Sequence, residues 1–291
     1  MSVLLSFGHG YSARALTPLL LAQGWEVIGT TRTEAKAEVL RSEGVMPVIF
    51  GAPIDEALSR ATHVLTSAAP GEAGDPVLST YGDALRRGLR PDQWVGYLST
   101  TGVYGDHGGA WVDEGTALTP STRRGQMRVD AEAAWRALAD QTGAALHLFR
   151  LAGIYGPGRG PFAKVRAGTA RRIVKPGQVF SRIHVDDIAQ VLAASIRRPN
   201  PGAVYNLCDD DPAPPEDVIG HAAALLGLPV PPSEDFASAD MTPMARSFYA
   251  ESKKVRNDRI KDELGVRLAY PDYRAGLAAL MRQDGTTAQE G

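Results

Sequence analysis

Cysteine is almost absent: Cys208 is the single one among 291 residues, so no disulfide can form within the chain. That fits a reducing compartment. Cys208 ends the strand-like run Ala203-Val204-Tyr205-Asn206-Leu207-Cys208 and reads as a small buried residue. Charge of one sign is missing too. Lys and Arg number 31 against 33 Asp and Glu, a formal net charge of −2, which argues against nucleic acid or an anionic membrane as partner. No apolar run reaches the roughly 20 residues of a membrane helix. The first strand-like run begins at residue 3, so no signal peptide is expected, and the expected location is the cytoplasm. The six histidines form no H-E-x-x-H or Cys/His cluster, so no metal site is expected. A Walker P-loop and a G-x-S-x-G elbow are also lacking.

What is there is a globular composition, 44% hydrophobic and 22% charged, enough for a large core in one or two domains. Strand-like runs at 3–7, 26–30, 46–50, 63–67, 94–99 and 145–150 alternate with helix-like ones at 11–23, 34–42, 76–89 and 124–141. The strand runs are continuously apolar, as expected for strands covered on both faces. Alternating β and α predicts a doubly wound parallel sheet with right-handed crossovers. Pro18 inside the first helix predicts a mild kink. The second half differs: a Gly/Pro-rich stretch at 153–160, a basic one at 164–175, a helix at 185–196 and a strand at 203–207. A loop at 211–215, a helix at 216–226, an irregular stretch at 229–244 and helices at 255–264 and 272–281 follow, with a polar, frayed tail at 282–291. This divides the chain into a nucleotide-binding unit, residues 1–155 with 180–207 returning to it, and a smaller substrate-binding part, residues 156–179 and 208–281.

The most informative motif is Gly8-His9-Gly10-Tyr11-Ser12-Ala13, between the first strand and the first helix. A turn placed there sits at a helix N-terminus, where free N–H groups and the helix dipole attract phosphate. Gly8 allows the tight turn, Gly10 lets backbone approach a pyrophosphate, and Ala13 lets helix and strand pack closely. The strand–turn–helix context favours a dinucleotide (Rossmann) site over an ordinary βα turn. At the end of the second strand, Gly29-Thr30-Thr31-Arg32-Thr33 contains no carboxylate. Arg32, next to Thr31, offers a planar fork suited to a 2′-phosphate, so NADP(H) is expected rather than NAD(H). The alternative is that Arg32 is a solvated loop residue.

Farther on stand Leu98-Ser-Thr-Thr-Gly-Val-Tyr-Gly-Asp106, Arg150-Leu-Ala-Gly-Ile-Tyr-Gly-Pro-Gly158 and Arg182-Ile-His-Val-Asp-Asp-Ile-Ala189. With these motifs the chain resembles the extended short-chain dehydrogenases, the family of nucleotide-sugar epimerases and dehydratases. Ser252-Lys-Lys-Val-Arg-Asn257 and the Tyr-Pro-Asp-Tyr stretch at 270–273 look like that family's atypical YeeZ-like branch. The resemblance implies that Gly8, Gly10, Tyr11, Ser12 and Ala13 form the pyrophosphate turn, and that Ser67, Ala68 and Ala69 form a loop passing under the cofactor. It implies that Thr100, beside Thr101, holds the substrate oxygen, and that 151–155 runs beside the nicotinamide, Ile154 toward the cofactor and Tyr155 toward the substrate. Arg182 and His184 would close the substrate pocket. A homodimer through 76–89 and 124–141 is implied by the same analogy, although no heptad seam is visible there. For Thr100 the residue-level reading agrees, since a hydroxyl at a strand's C-terminal end points into the ligand crevice. The alternative is a hydroxyl satisfying a local turn.

The family's proton donor is a Tyr with a Lys four residues later on one helix face. Here Arg124 and Arg128 stand at those positions. Guanidinium stays protonated, so it cannot cycle a proton at neutral pH. The pair could bind an anion or polarise a carbonyl, or simply form surface ion pairs with residues such as Asp130 or Glu132. Tyr249-Ala-Glu-Ser-Lys253 repeats the spacing but lies in the C-terminal part, and reads as chance or local structure. Thr100-Thr101-Gly102 also lacks the Thr-Asp-Glu of the family's dehydratases. His184 beside Asp186 and Asp187 is the remaining acid–base cluster, with a helix-capping role as its alternative. Two functions are compatible with this pattern. One is an NADP(H)-dependent oxidoreductase or epimerase acting on a small polar substrate. The other is a non-catalytic dinucleotide-binding sensor or partner protein.

Overall fold

The apolar runs form a seven-stranded, all-parallel sheet, described in a computed structural model that covers residues 1–287. The strands are β1 (Val3–Phe7), β2 (Glu26–Thr31), β3 (Met46–Ile49), β4 (His63–Thr66), β5 (Trp94–Thr100), β7 (Ala145–Leu151) and β11 (Val204–Leu207), in the spatial order β11-β7-β5-β4-β1-β2-β3. The order reverses between β1 and β4. Loops at such a switch point part to leave a crevice beyond the strands' C-terminal ends. All five residues of β1 and all seven of β7 are buried, as a sheet covered on both faces requires.

Helices α1 (Tyr11–Leu21), α2 (Glu34–Ser42), α3 (Asp55–Arg60), α4 (Pro76–Gly88), α5 (Arg123–Thr142) and α7 (Val185–Arg197) supply the outer layers. Leu16 and Leu20 of α1 and Ile188, Val191 and Leu192 of α7 pack with Leu4, Leu65 and Phe149 on one face. Leu58 of α3, Tyr81 and Leu85 of α4 and Trp135 of α5 pack with Leu5, Phe7 and Tyr97 on the other. Pro18 lies inside α1, as expected.

The second half holds shorter pieces. Strand β8 (Gly153–Tyr155) pairs with β10 (Arg182–His184), β9 (Arg172–Val174) with β12 (Ser233–Asp235), and β6 (Trp111–Val112) with β13 (Lys254–Val255). Helices α6 (Phe162–Arg166), α8 (Pro215–Leu225), α9 (Pro243–Phe248), α10 (Asp258–Asp262) and α11 (Tyr273–Thr287) complete it. Tyr155, Phe162, Val218, Tyr273 and Leu277 form its own apolar cluster.

Three expectations need correction. The stretch 255–264 is not one helix: Val255 donates its N–H to Ser181 Oγ and belongs to β13, leaving only α10 helical. The stretch 229–244 is not irregular throughout, because β12 pairs with β9 and α9 begins within it. The segment 282–287 is not frayed tail but the end of α11, which no proline interrupts; residues 288–291 lie outside the described residues. Among the described residues no helix is long and apolar enough to cross a membrane.

Candidate cofactor and active site

The glycine turn opens α1 at the switch point. Gly8 has φ +70°, and a Cβ there would lie 3.1 Å from the Ala68 nitrogen, so the position strongly favours glycine. Its N–H donates to Thr30 Oγ1 at 2.8 Å, and its carbonyl accepts from the Ser67 hydroxyl. Thr30 of β2 and Ser67 after β4 thus pin the turn from both sides. Burial lowers the His9 imidazole to about 4, so it is neutral, and its Nε2 lies 3.0 Å from Thr17 Oγ1 of α1.

Gly10 is the N-cap of α1, with no side-chain cap and no acidic residue in the first turn. A Cβ on Gly10 would have only the Gly8 carbonyl oxygen within 4 Å, at 3.6 Å. An uncapped helix start facing open room has the form a diphosphate requires, so these residues fit a dinucleotide. Ala13 is fully buried and Ser12 nearly so, whereas the Tyr11 hydroxyl donates to the Pro157 carbonyl at 3.0 Å. Ala68 is half-buried beside Gly8, Ala69 is exposed and Ile154 is half-buried.

At the end of β2, Thr31 is buried and Arg32 is exposed, with no hydrogen bond or ion pair among the described residues. The first carboxylate beyond, Glu34, is held by Arg41 at 2.8 Å. Arg32 is therefore the uncommitted charge at this strand end.

At the end of β5, Thr100 Oγ1 accepts the Gly102 N–H at 3.2 Å and starts a 3₁₀ turn, Thr101–Tyr104, with Thr101 buried. The hydroxyl serves the local turn and keeps its own proton free to donate. The two arginines of α5 part company. Arg124 is exposed. Arg128 is half-buried and donates through Nη1 to the Leu98 carbonyl at 2.8 Å and to the Tyr97 hydroxyl at 3.1 Å. Strand β4 pairs no further along β5 than Tyr97, so Arg128 supplies a donor where the ladder stops. Desolvation pushes the Tyr97 phenol up to about 12 despite the neighbouring guanidinium.

Glu132 is not a partner of either arginine. It is fully buried and takes a two-pronged bond from Arg150 of β7, Nε to Oε1 at 3.1 Å and Nη2 to Oε2 at 2.8 Å, plus the Ser99 hydroxyl at 2.6 Å. Arg150 also donates to the Tyr104 hydroxyl at 3.0 Å, which donates to Asn206 Oδ1 at 2.7 Å. Asp130 instead accepts from Gln126 at 2.8 Å. Spacing could not expose the Glu132–Arg150 pair, because its members lie on different elements.

His184 is fully buried and its Nδ1 accepts the Asp186 N–H at 3.2 Å, capping α7. Desolvation lowers its pKa, so the ring is a neutral cap and not a ready proton donor. Asp187 accepts the Ala269 and Tyr270 N–H groups at 2.7 and 3.0 Å, tying α7 to the approach of α11. Tyr155 packs edge-on against His184, ring centroids 5.1 Å apart, and its hydroxyl reaches toward α11. Arg182 donates to the Phe180 and Ala213 carbonyls at 2.8 and 2.9 Å. Near it lies Asp209, 1% exposed, with both carboxyl oxygens unpartnered and its pKa pushed up to about 8 by desolvation, against the pull of Arg182. No motif pointed to Asp209.

Fold and sheet topology together define a class: a Rossmann-like α/β protein with a seven-stranded parallel sheet and a glycine turn opening its first helix. The chain is similar to protein YeeZ of Escherichia coli (strain K12), 27% identical over 280 residues that span 91% of this chain and 95% of YeeZ. A functionally unknown conserved protein from Silicibacter pomeroyi DSS is 60% identical, covering 97% of this chain and 99% of that one with a TM-score of 0.92. A candidate NAD-dependent epimerase/dehydratase from Methylobacillus flagellatus is 27% identical over 98% of both chains, TM-score 0.70. The fold alone is shared with MoeE5, solved with UDP-glucose and NAD, at 20% identity over 99% of this chain and 100% of that one, TM-score 0.75. No family model matches the chain.

Proposed function

We propose that the protein binds NADP(H) and acts as an oxidoreductase or epimerase-like enzyme on a small polar substrate. The observation that carries the reading is the uncapped start of α1 at Gly10, facing open room at the switch point of the sheet. Support for a nicotinamide dinucleotide comes from the candidate NAD-dependent Methylobacillus protein and from the NAD held by MoeE5. Support for the 2′-phosphate form comes from the uncommitted Arg32 and from Glu34 being occupied by Arg41.

The N–H groups of the first turn of α1 would hold the diphosphate, Arg32 the 2′-phosphate, and Ile154 the nicotinamide side of the crevice. When bound, the cofactor supplies hydride chemistry. Thr100 would donate its hydroxyl proton to a substrate oxygen while Gly102 N–H fixes the hydroxyl's orientation. Arg128 contributes fixed positive charge beneath the strand end and exchanges no proton. Residues 156–179 and 208–281 would enclose the substrate.

The second reading, a dinucleotide-binding sensor without turnover, is favoured by one observation: Arg124 is exposed and Arg128 is spent on Leu98 and Tyr97. Titration calorimetry tests the cofactor assignment. NADPH should bind about tenfold or more tightly than NADH, and Arg32→Ala should erase that difference while sparing NADH. Equal affinities in the wild type, or equal losses in the variant, would refute the 2′-phosphate role.

A further inference from the structure

The spacing of Tyr249 and Lys253 copies the family's catalytic pair, but the two side chains go separate ways. Tyr249 closes α9 and stacks on Phe236, ring centroids 5.2 Å apart, while residues 251–253 leave the helix. Lys253 is 9% exposed, and its ammonium donates to the Gly105 carbonyl at 2.7 Å and to Glu251 Oε2 at 2.6 Å. Glu251 Oε1 in turn accepts the Ser121 hydroxyl at 2.6 Å. Gly105 ends the turn that follows Thr100; Ser121 lies in the turn that precedes Arg124.

Those two turns touch. Gly105 has φ +75°, and a Cβ on it would fall 1.8 Å from the Thr119 carbonyl oxygen. The same strap reaches further. The Ser252 carbonyl accepts the N–H groups of His107 and Gly109 at 3.1 and 2.9 Å, and the Ser252 N–H donates to Asp106 Oδ1 at 2.7 Å. Gln178 Nε2 donates to the Glu251 carbonyl at 2.6 Å, joining the loop before β10. A lysine suits this place because its long stem crosses from a distant segment and its three donors can serve two acceptors at once.

We propose that Lys253, paired with Glu251, is a positioning residue of the candidate active site. It braces the turn carrying Thr100 and Thr101 against the turn leading into Arg124. The C-terminal part therefore sets the spacing between the two halves of the reacting end. The proposal rests on the reading of Thr100 given above, and its test separates the two.

The variants Lys253→Met, Lys253→Arg and Glu251→Gln are compared by hydrogen exchange and by the emission of bound NADPH. In Lys253→Met the amides of Gly105, His107 and Gly109 should exchange about tenfold faster, the effect of losing one charge-assisted hydrogen bond. NADPH affinity should stay within about twofold, since the diphosphate turn is untouched, while the emission of the bound nicotinamide changes. Lys253→Arg should restore both signals in large part, and Glu251→Gln should show the same changes more weakly. Wild-type exchange and emission in Lys253→Met would overturn the brace, as would faster exchange throughout the chain. If Lys253→Met does not fold, Glu251→Gln decides in the same way. A wild type that fails to bind NADPH would sink the proposed function, and the exchange rates at 105–109 would still decide the brace.

Discussion

At the scale of single residues, Asp209 makes a pH-dependent statement. Its carboxyl is buried without a hydrogen-bond partner near Arg182, with Tyr155, Asp210 and Asp211 also acting on it or acted on by it. The folded state keeps the proton up to about pH 8, whereas an unfolded Asp releases it near its ordinary value of 3.8. Between those values the folded chain binds more protons than the unfolded one, so this group's contribution to stability falls as pH rises. Asp209→Asn should therefore gain stability relative to wild type as pH goes from 5 to 8 (about 1 kcal/mol or more, read from urea midpoints). A difference that does not change with pH would show that the carboxyl ionises freely in the fold. The residue was invisible in the sequence because its surroundings come from β8, β10 and the loop after β11, none of them adjacent in the chain.

At the scale of elements, the start of α4 is the informative joint. Asp75 caps it, Oδ1 accepting the Val77 and Leu78 N–H groups at 2.8 and 3.1 Å, while Oδ2 accepts the Trp135 indole N–H of α5 at 3.1 Å. One carboxylate thus satisfies a helix end and a buried indole. Asp75→Ala should cost about 2–3 kcal/mol in chemical denaturation, and Asp75→Asn clearly less, because an amide oxygen still caps. A loss under about 0.5 kcal/mol for Asp75→Ala would mean that water replaces both bonds. Elements of this kind were legible: α2 and the sheet strands follow from apolar runs, periodicity and turn residues. The paired strands β6 and β13 were not, since two residues carry no periodicity and their partners lie far apart in sequence. The motifs marked Thr100 and the glycine turn as candidates, and the fold sets them at the ends of β5 and β1. They could not show that Arg128 completes a strand end, or that Glu132 belongs to Arg150, because those pairings depend on where α5 settles on β5 and β7.

At the scale of the whole molecule, three imidazoles are held neutral inside the sheet layers. Burial lowers His9, His63 and His147 each to about 4 from an ordinary 6.5. Below pH 6.5 the unfolded chain takes up protons that the folded chain refuses, so their contribution is present above 6.5 and is lost as pH falls toward 4. This runs opposite to Asp209, so single variants are needed to separate the two. His147→Gln should lose stability at neutral pH, where its bond from the Asn200 N–H is disturbed, yet close the gap to wild type by about 1–2 kcal/mol on going to pH 5. A gap independent of pH would show that His147 titrates normally in the folded state.

The strap at 251–254 has a consequence for how the chain is made. The Lys253–Gly105 bond joins residues 148 positions apart. At about 5–20 residues per second, the turn after Thr100 leaves the ribosome roughly 7–30 seconds before the lysine that braces it. The glycine turn, Thr30 and Ser67 are all made within the first 67 residues. During synthesis the protein therefore has every residue of the glycine turn at α1 well before Lys253 can brace the turn after Thr100, and a nascent chain stalled short of residue 251 would carry the first without the second.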